Sequence, residues 1–282
     1  MTPREQGFLL LTNFLGDPER KPLTAAQVRK LTERMRSMPR PEQQRELLPE
    51  DLMDIGYDRP TSERIIRLLS QGEQLARYVQ KGAQQDCYPI TRVSGGYPAQ
   101  LKPRLGDDRP CVLWCKGDPT LLQLPGIALV GSRDLRPENA DFARELGKQA
   151  ALRGYVLISG NARGADRIAQ ESCLEHGGQV ISIVADKLTK APLRRNILFV
   201  SEDGFDLDFS ANRALRRNRI IHCLGQKTFV AQCTLRRGGT WDGTANNLQH
   251  QWSPVFCYDD GSAAVAALAQ MGAQRISNTI CL

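Results

Sequence analysis

Short apolar runs alternate with segments of helical spacing along most of the chain after residue 125. Ile127–Val130 and Tyr155–Ser159 are two such runs, each followed by small turn residues, which is typical of buried strands. Between them, apolar residues recur at helical spacing from Phe142 to Ala150, and Gly154 ends the pattern. A strand, a helix and a second strand in this order predict a βαβ unit with parallel strands.

The same alternation continues toward the end of the chain. Further strands are predicted at Gln179–Val184, Ile197–Ser201, Thr228–Ala231 and, as the last strand, Val255–Tyr258. Further helices are predicted from Ala165 onward, over Ser210–Leu224, up to His250 and over Ala263–Leu268. This order predicts an α/β fold whose sheet is mostly parallel and doubly wound.

The first 85 residues have a different pattern, which predicts a small α-helical N-terminal module without recognisable chemistry. Helices are expected from about Thr24 and from about Thr61, with a short one before Gly56. Residues 86–282 form the α/β domain, and their first part, 86–125, is a proline-rich leading segment. Within it Cys111–Cys115 reads as a strand, with both cysteines buried on the same face.

Composition and charge limit the classes of protein to which this chain can belong. The chain has 282 residues, a net charge of +7 and no apolar stretch long enough to span a bilayer. No targeting segment is expected, because the apolar run near Phe8 is short and soon followed by charges. Eight cysteines are scattered without a C-x-x-C pair, so reduced thiols, no metal site and a cytoplasmic location are expected.

Two glycine turns carry the candidate chemistry. Gly131-Ser132-Arg133 follows the first strand of the βαβ unit, and Gly160-Asn161-Ala162-Arg163-Gly164 follows the second. Glycines let the backbone approach an anion, and amides at a helix start point toward it with partial positive charge. Arg133 and Arg163 add full charges that suit phosphate. The alternative is that both turns only connect strands to helices.

Two runs free of acidic residues hold much of the positive charge. They comprise Lys187, Lys190, Arg194 and Arg195, followed by Arg213, Arg216, Arg217 and Arg219. Such clusters indicate a polyanionic partner, although a run of charge can also be a solvated face.

Several motifs in register resemble the DprA/Smf family of bacterial DNA-processing proteins. Residues 97–101 and 112–118 are similar to its leading segment, and Ala128–Arg133 to its first phosphate-binding turn. Ser159–Asp166 is similar to its second turn, and Arg217-Asn218-Arg219-Ile220-Ile221 to its arginine motif. Together these similarities run in order over roughly residues 88–258.

The resemblance implies an extended Rossmann-like fold, a homodimer that binds single-stranded DNA, and a role in DNA recombination and natural transformation through loading of RecA. It places backbone phosphates on Gly131, Ser132, Arg133, Ser159, Gly160 and Gly164. Arg163, Lys190, Arg194, Arg195, Arg217, Asn218 and Arg219 complete the predicted DNA-binding set. The prediction includes no catalytic residue, no metal and no cofactor, and hence no enzyme.

The sequence also departs from the family pattern. Gln170 stands where the second turn is usually followed by histidine, and Gly238–Ala245 replaces a later serine- and threonine-rich segment. The C-terminal winged-helix module of many members is not expected here. These departures indicate a divergent member, and they also fit a mobile-element or defence context.

Two other functions use the same type of sheet. Phosphoribohydrolases carry G-G-x-G-T-x-x-E, but Asn247 stands in place of the glutamate and cannot act as a carboxylate. A sensor of a nucleotide-derived signal would bind at the same turns, and two separate basic clusters favour a DNA strand over such a ligand. There is no G-x-x-x-x-G-K-S/T loop for a P-loop ATPase.

Overall fold

The computed structural model describes residues 1–38 and 45–277, which fold around a nine-stranded sheet in the order β1-β2-β6-β5-β4-β3-β7-β8-β9. The strands are β1 Cys87–Thr91, β2 Val112–Lys116, β3 Gly126–Val130, β4 Val156–Ser159, β5 Gln179–Ile183, β6 Ile197–Glu202, β7 Thr228–Val230, β8 Val255–Tyr258 and β9 Gln274–Ile276. From β6 across the sheet to β9, neighbouring strands pair in parallel, whereas β2 is antiparallel to both β1 and β6.

Helices cover both faces of this sheet, which confirms the predicted α/β, doubly wound fold. The helices of the sheet region are α6 Leu101–Leu105, α7 Pro137–Leu152, α8 Ala165–Glu175, α9 Ala211–Leu224, α10 Gly239–His250 and α11 Ala263–Gln270. Helices α7 and α8 pack into one apolar core, and α9, α10 and α11 into the core on the opposite face. The chain proceeds from β3 to β6 in one direction and then returns to place β7 on the other side of β3. The β3–β7 boundary is therefore the point at which such sheets bind ligands.

The N-terminal segment is helical, as predicted. Its helices are α1 Pro3–Thr12, α2 Ala25–Arg36, α3 Pro49–Asp54, α4 Arg59–Leu69 and α5 Gly72–Ala83. Part of this segment has its own apolar core around Leu31 and Ile65, but α1 and α5 pack on the sheet, where Tyr78 meets the ring of Trp114 at 5.2 Å. The boundary near residue 85 stays a prediction; it falls between the end of α5 and the start of β1.

Some details differ from the prediction for local reasons. The helix expected from about Thr61 is α4, which begins two residues earlier at Arg59, because the Asp58 carboxylate caps it by accepting from the Thr61 amide at 2.8 Å. The prediction placed no strand at β1, which contains Pro89 and lies at a sheet edge, where proline is tolerated. Val255–Tyr258 is not the last strand, since the short, largely exposed β9 follows it.

The two cysteines expected on one face lie on opposite sides of the sheet. Cys115 is fully buried in the core beneath α9, whereas Cys111 precedes β2 and packs, half-buried, against the core beneath α7. The strict alternation along a strand applies only within the strand, and Cys111 lies outside it. The seven cysteines in the described part of the chain are free thiols.

His222 lies in a buried polar cluster and is 1% exposed, more deeply buried than a surface helix position predicts. The Asn247 side-chain amide donates to its Nδ1 at 3.2 Å, and Asn247 in turn accepts from the Ser253 backbone amide at 2.9 Å. Burial lowers the pKa of His222 to about 3. The ring is therefore neutral in the folded chain, and Asn247 is a core residue.

This burial predicts a pH dependence of stability. In the unfolded chain the ring takes a proton near pH 6.5, so the free energy of unfolding should fall by about 1.4 kcal/mol per pH unit as pH drops below that value. Guanidinium unfolding between pH 6.5 and 5 measures this slope. His222→Asn should flatten it, whereas His250→Asn, at an exposed position, should leave it unchanged. An equal slope in His222→Asn would contradict the assignment.

Candidate functional site

The two glycine turns meet at the carboxyl ends of β3 and β4. The Ala165 amide donates to the Ser132 carbonyl at 3.2 Å. Gly164 has φ +86°, and a Cβ there would press on the carbonyl oxygens of Ser132 and Arg133. A Cβ on Gly131 would likewise collide with that of Ala165. Both glycines are thus required by the close approach of one turn to the other.

The backbone amides expected to face a phosphate are already bonded within the protein. Those of Gly160 and Ala162 both donate to the Asp166 carboxylate at 3.1 Å, so that this side chain occupies the anion site of the second turn. The Ser132 amide donates to the Gln232 carbonyl at 2.9 Å, and the Ser132 hydroxyl donates to the same oxygen at 3.1 Å. This geometry does not support phosphate binding through the amides of Ser132 and Gly160.

Ser159 is also turned away from the site. Its side chain is fully buried, and its hydroxyl accepts a hydrogen bond from the Gln170 amide. Gln170 donates to the Ser182 hydroxyl as well, at 3.3 Å, and thereby links β4 to β5. Ser159 and Gln170 therefore connect β4 and β5 at the carboxyl ends of these strands. Ser159 is not positioned for a direct phosphate contact.

Asp166 is buried beneath the second turn, and the half-buried Arg217 lies near enough for the two opposite charges to interact. The Arg217 guanidinium lies directly under Gly160 and donates to the Ile183 carbonyl at 2.6 Å. Burial raises the pKa of Asp166, and the positive charges of Arg217 and Arg133 oppose that shift. Burial lowers the pKa of Arg217, and the Asp166 charge opposes it. The pair supports the turn from below while one edge of Arg217 reaches the surface cavities.

Two adjoining cavities form a continuous groove across the carboxyl ends of the strands. We call the one between β3 and β7 the crevice lobe, of about 810 Å³, and the one beside β5 and β6 the loop lobe, of about 770 Å³. Their shared wall consists of Arg133, Ala162, Phe209, Ala214 and Arg217. The groove is long enough to pass from the topological switch point to the loop after β5.

The crevice lobe and the loop lobe are lined by different kinds of side chain. Polar side chains such as Gln232 and Thr240 line the crevice lobe, together with Asn218, whose amide donates to the Gly239 carbonyl at 3.0 Å. The loop lobe has an apolar floor that includes Val184 and Phe199.

Four exposed arginines line the groove without an ion pair to any carboxylate in the described ranges: Arg133, Arg167, Arg194 and Arg237. Arg133 and Arg194 belong to the predicted set, whereas Arg167 and Arg237 were not predicted. Arg167 lies in the first turn of α8, directly after the second glycine turn, so its position was a usable signal. Arg195 is exposed next to Arg194 but does not line either lobe.

Three other cations of the groove are paired with nearby carboxylates. Arg163 Nη2 lies 2.6 Å from Asp134 Oδ1, and Lys190 Nζ lies 3.0 Å from Asp186. Lys187 Nζ lies 2.9 Å from Asp208. In the sequence, Asp134 and Asp208 are far from the cations that they pair with, and Asp186 lies just before the first basic run.

The arginines of α9 are largely engaged within the chain, unlike the free basic cluster that the sequence predicts. Arg216 and Arg219 both bind the buried carboxylate of Glu202, and Arg219 also donates to the Asp108 carbonyl. Arg213 donates to several backbone carbonyls, including that of Ala185 at 2.8 Å. Arg219 therefore anchors α9 to β6 and does not line either lobe.

An exposed aromatic side chain lies in the shared wall. Phe209 is 55% exposed, and Leu215, 50% exposed, lines the crevice lobe beside it. Trp241, by contrast, is 9% exposed and packs in the core. Phe209 was not predicted, since a single phenylalanine before a helix has no distinctive pattern.

Two further properties concern only the described residues. No group of histidine, cysteine, aspartate and glutamate side chains there could hold a metal ion. Within the same ranges, every helix is too short or too polar to cross a membrane.

Comparison with known proteins gives consistent matches. Residues 89–280 match the sequence profile of the family described as DNA recombination-mediator protein A. DNA processing protein DprA of Bacillus subtilis is 28% identical over 218 residues, which cover 72% of this chain and 71% of that protein.

Two solved structures extend the comparison. The crystal structure of DprA from Streptococcus pneumoniae has a TM-score of 0.75 at 23% identity and covers 98% of this chain and 95% of that one, which establishes the shared fold. A structure of DNA processing protein A from Helicobacter pylori, concerned with its single-stranded DNA binding mode, has a TM-score of 0.57 at 25% identity. It covers 67% of this chain and 90% of that one.

Proposed function

Because this chain belongs to the family of DNA recombination-mediator protein A, we propose that it binds single-stranded DNA along the groove and acts in DNA processing and recombination without catalysing a reaction. The observation that carries this proposal is the row of unpaired arginines along both lobes, with Phe209 exposed between them. The similarity to the Helicobacter pylori protein, whose single-stranded DNA binding mode has been described, supports it.

The groove offers separate surfaces for phosphates and for bases. Arg133, Arg167, Arg194 and Arg237 present guanidinium groups that suit backbone phosphates. Phe209 and the apolar floor of the loop lobe suit the faces of unpaired bases. A duplex keeps its base faces stacked inside, so this combination favours a single strand. Contacts of this kind carry little sequence preference.

A non-catalytic role fits the chemistry of the groove. Among the described histidines, His222 is buried in the core, and neither His176 nor His250 lines a lobe. The Ser132 hydroxyl donates to a backbone carbonyl and has no base beside it. The position compared with the glutamate of phosphoribohydrolases is the buried Asn247. These features support a binding protein rather than a hydrolase.

A sensor of a nucleotide-derived signal is the second candidate, favoured by the polar crevice lobe at the topological switch point. Internal ion pairs weaken the argument from the two basic runs, since Lys187, Lys190, Arg216 and Arg219 are engaged within the chain. The case for a strand rests instead on the length of the groove, whose unpaired arginines extend over both lobes. A small ligand would occupy one lobe only.

Family membership also motivates three further proposals: a homodimer, RecA as a partner, and a role in natural transformation in the cytoplasm. Sedimentation of the purified chain tests the first, and capture of purified RecA on a column of immobilised protein tests the second.

Arg133→Ala tests the proposed interface directly. Arg133 lines both lobes, so its loss should weaken binding to every sequence by about 1.5–3 kcal/mol, roughly 10- to 150-fold in Kd. Fluorescence anisotropy with labelled oligo-dT at two salt concentrations, with duplex as competitor, measures this. Arg144→Ala on the outer surface of α7, 56% exposed, is the matched control. Absence of binding by the unaltered chain at low salt would refute the proposal.

A further inference from the structure

Three carboxylates hold cations that line the groove, and two of these carboxylates, Asp134 and Asp186, line it themselves. Asp134 holds Arg163 at 2.6 Å, Asp208 holds Lys187 at 2.9 Å, and Asp186 holds Lys190 at 3.0 Å. A groove built only to attract a polyanion would not place acids beside its cations, because each acid repels the ligand.

The Asp134–Arg163 pair joins the two glycine turns at the mouth of the groove. Asp134 directly follows the first turn and lines the crevice lobe, whereas Arg163 belongs to the second turn and lines the loop lobe. Asp134 is 86% exposed and Arg163 is 72% exposed. Exposed pairs contribute little to stability, so this pair is not needed to hold the fold and can open at small cost.

We propose that Asp134 stands in for a phosphate, holding Arg163 across the empty groove and releasing it when a DNA strand enters. Asp134 would thereby determine specificity between ligands. A carboxylate tethered beside Arg163 has a high effective concentration, so a single phosphate in solution competes poorly with it. A strand that is already bound to the other arginines presents its next phosphate at a comparable effective concentration and displaces the carboxylate. The groove therefore selects polyanions over free nucleotides. This inference rests on the proposed function.

Asp134→Asn tests the exchange, because the amide is isosteric but uncharged. Oligo-dT should bind about two- to fivefold more tightly to this variant at low salt, as expected for loss of an exposed ion pair. Because a bound strand contacts Arg163 in both proteins, the number of phosphate contacts is the same, and the slope of log affinity against log salt should stay nearly unchanged. The concentration of thymidine monophosphate that displaces half of the oligo-dT should fall by a larger factor than the Kd of oligo-dT.

Asp141→Asn is the matched control, since Asp141 is 72% exposed and pairs with Arg144 on the outer surface of α7. It should leave affinity, slope and competition unchanged. In an Arg163→Gln background Asp134→Asn should lose most of its effect, because the exchange acts through Arg163. If Asp134→Asn tightened binding equally in that background, Asp134 would act only by repelling the strand, and the inference would be overturned.

The outcomes also distinguish a failure of this inference from a failure of the proposed function. An unaltered chain that binds no oligonucleotide at low salt would refute the proposed function. An unaltered chain that binds well, with Asp134→Asn indistinguishable from it in affinity and in competition, would refute the role of Asp134 alone.

Discussion

Gly164→Ala is expected to lose about 2–6 kcal/mol of the free energy of unfolding, from backbone strain and overpacking together. Gly164 has φ +86°, which L side chains rarely adopt, and its Cβ would press on the carbonyl oxygens of Ser132 and Arg133. Relief requires the two turns to move apart, which breaks the hydrogen bond from Ala165 to Ser132. Guanidinium unfolding followed by circular dichroism measures the loss.

Gly177→Ala is the matched control for this prediction. Gly177 has φ +75°, but no atom lies within 4 Å of the Cβ that it would carry. It should lose only the strain of a left-handed alanine, about 1–2 kcal/mol. The excess loss in Gly164→Ala measures the close approach of the turns, and equal losses would show that the turns are not in contact. Binding of oligo-dT should weaken only in Gly164→Ala, because Arg133 moves with the first turn.

Arg217→Met is expected to cost about 3–5 kcal/mol of unfolding free energy, because it leaves the buried Asp166 carboxylate without its neighbouring positive charge. Arg144→Met, on the exposed face of α7, should cost less than about 1 kcal/mol. Adding Asp166→Asn to Arg217→Met removes the stranded charge, while the amide oxygen can still accept from Gly160 and Ala162. The double variant should therefore recover part of the loss, and failure to recover would contradict this explanation.

The cost of Arg217→Met should also depend on pH. Burial already raises the pKa of Asp166 in the folded chain, and removal of Arg217 raises it further. A group whose pKa is higher in the folded state contributes stability at low pH and loses it as pH rises through that value. The variant should therefore be least destabilised in mild acid and most destabilised at neutral pH. A cost that is constant with pH would argue against an ionised Asp166 as the cause.

Much of the architecture could be predicted from local patterns. The apolar runs after residue 125 located β3 to β8, because a strand buried on both faces must be continuously apolar. Thr24 was correctly expected to begin a helix, and its hydroxyl accepts from the Gln27 amide at 3.3 Å. Gly131 and Gly164 were identified as special positions, although the reason proved to be contact between two turns. The two edge strands were missed for different reasons: β1 contains Pro89, which argues against a strand, and the short, largely exposed β9 lacks the apolar signal.

The candidate site was predictable in place but not in detail. The carboxyl ends of β3 and β4 follow from the βαβ order alone, and the groove lies there. Arg219 was assigned to DNA because it belongs to the arginine motif and to the second basic run, yet the fold brings Glu202 to it. The amide of Gly160 was assigned to a phosphate, yet Asp166 fills that position from six residues away.

The sequence by itself determined the order of β3 to β8 with their helices and the mostly parallel sheet, because these depend on the periodicity of neighbouring residues. Only the tertiary structure decided which charges are free. An ion pair or a buried carboxylate depends on distances between segments far apart in the chain, as between Asp134 and Arg163 or between Asp166 and Arg217. Positive charge that is counted along the sequence stays unpaired only where folding brings no carboxylate to it, as at Arg133 and Arg167.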